Sequence, residues 1–140
     1  MELSPHPIVL AAALGTHLET VLIVEDDDAL RRLLEHVLVF EGFNVLTAAH
    51  GAEALRALDN VVPALVVLDL VMPWVNGIEV LATMRQVPRL KNVPVLVVTG
   101  SQTTERDLSA FRPLMIMRKP LNIEAVAPTI LQLLAKFASN

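Results

Sequence analysis

Ala64-Leu-Val-Val-Leu-Asp-Leu70 is an almost wholly apolar run that carries one carboxylate, Asp69, near its C-terminal end. A run of this length without polar alternation is the pattern of a strand buried on both faces. The acid is then lifted to the rim of a sheet. Three further runs end in the same manner. Val21-Leu-Ile-Val24 leads into Glu25-Asp26-Asp27-Asp28, Val93-Pro-Val-Leu-Val-Val98 into Thr99-Gly100-Ser101, and Leu114-Met-Ile-Met117 into Arg118-Lys119-Pro120. Four strands thus deliver acids, a hydroxyl and a lysine toward one edge. In an open parallel sheet, ligands bind at that carboxyl edge.

Between these runs the pattern alternates. Leu30, Leu33, Leu34, Val37 and Leu38 recur on one helical face after Asp28, which the sequence suggests as the cap, and Glu41-Gly42 ends the helix. Phe43 to Ala49 reads as the remaining strand. Further helices are predicted over Ala52 to Leu58, around Ile78, Leu81 and Met84 up to Pro88, weakly over Thr104 to Phe111, and over Asn122 to Phe137. Five strands alternating with five helices predict an α/β fold, a parallel sheet covered by helices on both faces. Right-handed crossovers leave few topologies open to it.

The chain has 140 residues, enough for one domain with one core. Residues 1–19 stand apart as an N-terminal arm or tail, because Ser4-Pro5-His6-Pro7 cannot be regular structure and only a short apolar stretch, Ile8 to Leu18, follows. Residues 20–140 form the expected domain. Aromatic residues are 4% of the chain, too few for a surface that stacks single-stranded nucleic acid. A net charge of −4 gives no general attraction to nucleic acid or anionic membrane. There is no cysteine, so disulfides and thiolate metal sites are excluded. No apolar stretch reaches the roughly 18 residues of a spanning helix, and Glu2 makes a poor signal-peptide start. The reading is of a soluble, cytoplasmic protein.

The order of these elements, with these residues at the strand ends, closely resembles the receiver domain of two-component response regulators, in the manner of the chemotaxis regulators. Five separated motifs carry the resemblance: Val24-Glu-Asp-Asp27, Leu68-Asp69, Met72-Pro73 with Gly77, Val98-Thr99-Gly100, and Lys119-Pro120. Each alone is weak, and their agreement in order and spacing from about Glu19 to Phe137 is specific. The resemblance implies a flavodoxin-like, doubly wound five-stranded sheet of order 2-1-3-4-5.

It also implies a role for each residue. Asp69 would be the phosphoacceptor, attacking the phosphorus of a phosphohistidine; an ionised carboxylate needs no base for this. Glu25, Asp26 and Asp69 would crowd three negative charges together, which raise one another's pKa unless a cation is present. Mg²⁺, with its preference for hard oxygen ligands and retained waters, answers that need. Asp26 and Asp69 would bind it directly, Glu25 through water, and the carbonyl of Val71 would be a further ligand. Thr99 would donate its hydroxyl to the phosphoryl group, with Gly100 leaving the entrance open. Lys119 would pair with Asp69 at rest and with the phosphoryl group afterwards, aimed by a cis peptide at Pro120. Arg118, its neighbour on the strand, should point to the opposite face. Asp27 reads as a solvated loop residue, and His6, His17, His36 and His50 lack metal-ligand spacing. Trp74 falls in the loop after Asp69, partly exposed.

The implied partners are a histidine kinase or histidine phosphotransfer protein and a downstream target protein, with room for a homodimer and with neither nucleic acid nor membrane. The implied activity is that of a signalling switch, not an enzyme beyond its own aspartyl phosphorylation and dephosphorylation. Three features depart from the family. Ile116 stands where many receivers carry Tyr or Phe, the stretch from Thr104 to Pro113 is shortened, and Pro128 lies in the last helix, where it should kink the helix or move its start at a cost of up to about 3 kcal/mol. All three fall on the face many receivers use for dimerisation or output. The alternative they raise is a degenerate receiver acting as a phosphorylation-independent docking module. An unrelated enzyme on the same fold fits less well: Asp69-Leu70-Val71 lacks the Asp-x-Asp of aspartyl-phosphate hydrolases, and the acidic loop after the first strand would repel a flavin phosphate.

Overall fold

A computed structural model describes residues 19–137 of the chain. The N-terminal arm therefore lies, apart from Glu19, outside the described residues. The strands are β1 (Thr20–Val24), β2 (Asn44–Ala48), β3 (Leu65–Leu68), β4 (Val95–Thr99) and β5 (Leu114–Arg118). The α-helices are α1 (Asp28–Phe40), α2 (Gly51–Asn60), α3 (Gly77–Gln86) and α4 (Val126–Phe137). All strand pairings are parallel, and the order is β2-β1-β3-β4-β5. Every carboxyl end therefore reaches the same edge, as the apolar runs predict.

Because side chains alternate across a strand, each central strand feeds two cores. Leu22, Val24, Val66, Leu68, Val95 and Val97 pack with Ala54 and Leu58 of α2 and Val80, Leu81 and Met84 of α3. Val21, Ile23, Leu65, Val67, Leu96 and Val98 pack with Leu34 and Leu38 of α1 and Val126, Ile130 and Leu133 of α4. β1, β3 and β4 are buried almost without interruption, as required of strands with helices on either side. Leu33, grouped with the apolar face of α1, is exposed instead, and so is Ile78 at the start of α3. Among the described residues no helix is long and apolar enough to cross a membrane.

The expected helix over Thr104 to Phe111 is absent. Both the amide and the hydroxyl of Thr104 donate to Asp107 Oδ2 (2.9 and 3.0 Å), which closes a turn. Only a short 3₁₀ segment, Ser109–Phe111, follows. Arg85, near the end of α3, holds this segment down. Its guanidinium donates to the carbonyls of Phe111 (2.6 Å), Pro113 (2.9 Å), Lys91 (3.2 Å) and Leu90 (3.3 Å). Burial of that cation pushes its pKa down to about 10. The Arg112-Pro113 peptide, which lies between the Phe111 and Pro113 carbonyls, is cis.

Helix ends also refine the expectations. Asp27, not Asp28, caps α1: its carboxylate accepts from Leu30 N at 3.0 Å, whereas Asp28 pairs with Arg31 at 2.5 Å. Asp27 has the extended backbone of a cap residue, and Asp28 is already helical. α1 ends at Glu41, with Gly42 at φ 98°. The last helix begins later than predicted, at Val126, after a 3₁₀ turn over Ile123–Ala125. Pro128 is then its third residue, where an amide has no intrahelical partner, so the proline moves the start and leaves the hydrogen-bond ladder whole.

Candidate functional site

Three strands, β1, β3 and β5, carry their ladders one residue beyond their ends, and this sets the site. Glu25 N donates to Ala48 O (3.1 Å), Asp69 N to Val24 O (3.0 Å), and Lys119 N to Thr99 O (3.0 Å). The buried polar residues among those described are Glu25 (1% exposed), Asp69 (3%) and Thr99 (0%). All belong to this edge. Buried polar groups without partners are costly, so this concentration is the strongest mark of a site.

Lys119 joins the acids. Its ammonium lies 3.1 Å from Asp69 Oδ2 and 2.9 Å from Glu25 Oε1. The Lys119-Pro120 peptide is cis, as expected. Asp69 Oδ1 accepts from Val71 N at 3.0 Å, and Glu25 Oε2 accepts from Asp27 N at 3.1 Å. Burial raises the Glu25 carboxyl above its usual range, against the pull of Lys119 and the Asp27 amide, with the charge of Asp69 adding to the rise. Burial works against the charge on Lys119, but contact with Glu25 and Asp69 outweighs it and raises the lysine.

Glu25 Oε1 is buried and has the Lys119 ammonium, 2.9 Å away, as its charge partner, with no other donor beside it. Glu25, Asp26 and Asp69 each offer an oxygen, all within 4.8 Å of one another. Hard oxygens at this spacing, three carboxylates facing a single ammonium, fit a small divalent cation such as Mg²⁺. The acids line an open cleft of about 490 Å³ with Asp27, Val71, Gly100, Ser101 and Lys119. A larger groove, about 770 Å³, lies beside the start of β5 but gathers no acidic cluster. Chemistry rather than size marks the site.

Thr99 is turned toward its own loop. Its Oγ1 donates to Ser101 Oγ and accepts from Ser101 N, both at 3.2 Å. Arg118 diverges from Lys119 as strand alternation predicts: its guanidinium donates to Ser101 O at 2.5 Å and to Thr103 O.

Two glycines fix the loop that follows Asp69. A Cβ on Gly77 would stand 2.2 Å from Asp69 O and 2.6 Å from Leu70 Cα, and one on Gly51 would stand 2.3 Å from Val75 O. The N-termini of α2 and α3 thus close on the loop from two sides. Trp74, within it, has a left-handed φ of 63° and is 86% exposed, more than expected. Motif reading found Gly77 and the direction of Arg118, but gave no role to Gly51 or Ser101. The visible signal for Gly51 is its place at the start of a helix, after the strand-end residues Ala48-Ala49-His50.

A doubly wound sheet of this order, with acids, a threonine and a lysine converging at its carboxyl edge, defines a receiver-type signalling domain. The family model for the response regulator receiver domain matches residues 21–126, and the chain belongs to that family, whose members act in two-component systems. The transcriptional regulatory protein CpxR homolog of Haemophilus influenzae is 45% identical over 80 residues, 57% of this chain and 34% of that one. The chemotaxis response regulator CheY4 of Vibrio cholerae matches with a TM-score of 0.77 and 28% identity, over 84% of this chain and 99% of that one. The response regulator TrrA of Thermotoga maritima, solved in complex with Mg²⁺ and BeF, matches with a TM-score of 0.73 and 28% identity, over 83% and 99% of the two chains. The chain spans between about a third and about half of the length of the curated relatives it matches.

Proposed function

We propose that Asp69 is the phosphoacceptor of this domain and that a partner's phosphohistidine is the donor. An Asp69 carboxylate oxygen forms a bond to phosphorus as the phosphorus–nitrogen bond breaks, and the electron pair leaves with the donor imidazole. Lys119 then exchanges its contact with Asp69 for one with the phosphoryl oxygens, where a compact ammonium suits a point charge. The Thr99 hydroxyl leaves Ser101 to donate to a phosphoryl oxygen. Glu25, Asp26 and Asp69, with the Val71 carbonyl, would hold Mg²⁺, which when bound offsets the negative charge of the transferring group. The product biases an equilibrium between two conformations. Direct partners are a histidine kinase or phosphotransfer protein and a downstream target, and the acidic rim speaks against nucleic acid as a ligand of this edge.

The observation that carries this reading is the buried Asp69 held 3.1 Å from Lys119 at the mouth of an acidic cleft. Intact mass after incubation with acetyl phosphate, with and without Mg²⁺, tests it. One added phosphate that requires Mg²⁺ and vanishes in Asp69→Asn is the expected result. A folded protein that takes no adduct from acetyl phosphate or from phosphoramidate would overturn it in favour of constitutive docking.

A further inference from the structure

We infer that Arg118 is a positioning residue, coupling the Thr99 hydroxyl to the surface segment that replaces the missing helix. The inference rests on Asp69 being the phosphoacceptor and adds the route by which its modification reaches the surface. Thr99 and Arg118 are register partners at the ends of β4 and β5. From there a chain of hydroxyls runs outward: Thr99 Oγ1 to Ser101 Oγ at 3.2 Å, and Ser101 Oγ to Thr103 Oγ1 at 2.9 Å, with Thr103 N donating to Ser101 Oγ at 3.4 Å. Arg118 straddles this chain by donating to the carbonyls of Ser101 and Thr103. Directly beyond lies the Thr104–Asp107 turn, then the buried Leu108.

A threonine hydroxyl has one proton to donate. While Thr99 donates to Ser101 it cannot donate to a phosphoryl group on Asp69. Capture by the phosphoryl group therefore takes the Thr99 proton out of the hydroxyl chain and leaves the Ser101 amide as its remaining tie to Thr99 Oγ1. The carbonyls of Ser101 and Thr103 are tied to one planar guanidinium, so the two residues move as a unit instead of relaxing separately. A lysine in the same place could not span both carbonyls with a fixed fork. On β5, Ile116 is half-buried against the core and offers no polar atom that could follow Thr99.

Amide exchange of peptides covering residues 100–112, before and after loading with acetyl phosphate and Mg²⁺, reads the coupling. Intact mass runs in parallel on wild type, Thr99→Ala, Arg118→Gln and Arg118→Lys. In wild type, loading should speed exchange at residues 101–104 by about threefold or more. Both Arg118 variants should still take phosphate, exchange faster at rest, and show little further increase on loading; Thr99→Ala should lose the increase as well. No adduct on wild type overturns the phosphoacceptor reading and the coupling with it. A wild type that loads without change at 101–104, or Arg118 variants that keep the full loading-dependent increase, overturn the coupling alone. The second of these results would make Arg118 merely structural.

Discussion

Lys119 stands closer to Glu25, at 2.9 Å, than to Asp69, at 3.1 Å. The ammonium is therefore shared between two buried carboxylates, as hydrogen-bond donor to Asp69 and as charge partner to Glu25. Lys119→Met should leave both acids without a cation. Breaking a buried pair from one side costs about 3–5 kcal/mol. With 27% of the lysine side chain exposed, a loss of about 2–3 kcal/mol is expected in metal-free protein, measured by urea unfolding at neutral pH. Added Mg²⁺ should restore more stability to the variant than it adds to wild type, since the lysine no longer competes for the same oxygens.

Gly77→Ala should be more damaging than an alanine inside a helix suggests. The new Cβ meets main-chain atoms of Asp69 and Leu70, which cannot rotate away. A loss of about 2 kcal/mol or more in stability is expected. In whatever folded protein remains, displacement of Asp69 should slow phosphate loading relative to wild type, as followed by intact mass.

Arg85 takes over work that a helix would otherwise do. Arg85→Ala takes a donor from four carbonyls, of which Leu90 O and Pro113 O keep a backbone amide from Val93 and Val95, and a loss of about 2–3 kcal/mol is expected from chemical unfolding. Arg85→Lys should recover only a small part, because an ammonium cannot match the spread of the guanidinium. Recovery of most of the stability by lysine would show that charge alone matters there.

The Thr104–Asp107 turn carries a pH dependence of known sign. Hydrogen bonds from the Thr104 amide and hydroxyl hold the Asp107 carboxyl below its usual value. Its contribution to the turn is therefore present above the ordinary value of about 3.9 and is lost as pH falls through the lowered one. An NMR titration should show Asp107 titrating low, and Thr104→Ala should return it toward the ordinary value. An unmoved Asp107 in that variant would remove the hydroxyl from the account.

The sheet and its active edge were legible because their signal is local. An apolar run that ends in Glu25-Asp26 or Thr99 states both the strand and its terminus, and five parallel strands then bring those termini together. Lys119 and Arg118 were separated correctly by period-two alternation. What was not legible depended on partners far along the chain. Arg85 meets Phe111 and Pro113 across 26 and 28 residues, and no local pattern announces such a clamp. The helix expected at Thr104 gave way to a side-chain turn, a competition in which Thr and Asp regularly beat the helix. Asp27 and Asp28 could not be told apart as caps from composition, since the choice hinges on the backbone angles of one residue. Pro128 was ambiguous for the same reason: it disrupts a helix interior and is harmless in a first turn.

The crowding around Gly77 has a genetic consequence. The atoms a side chain would strike there, Asp69 O, Leu70 Cα and Asp69 C, are main-chain atoms that every amino acid possesses. No substitution at position 69 or 70 can make room, so a suppressor hunt started from Gly77→Ala should return revertants at position 77 itself and none at those neighbours. At Gly51 part of the obstruction is the Val75 side chain, but Val75 O lies nearest. Shrinking residue 75 therefore opens only part of the way. In sequence space these two positions are walled in by the chain's own backbone, and the loop bearing Asp69 has little freedom to drift.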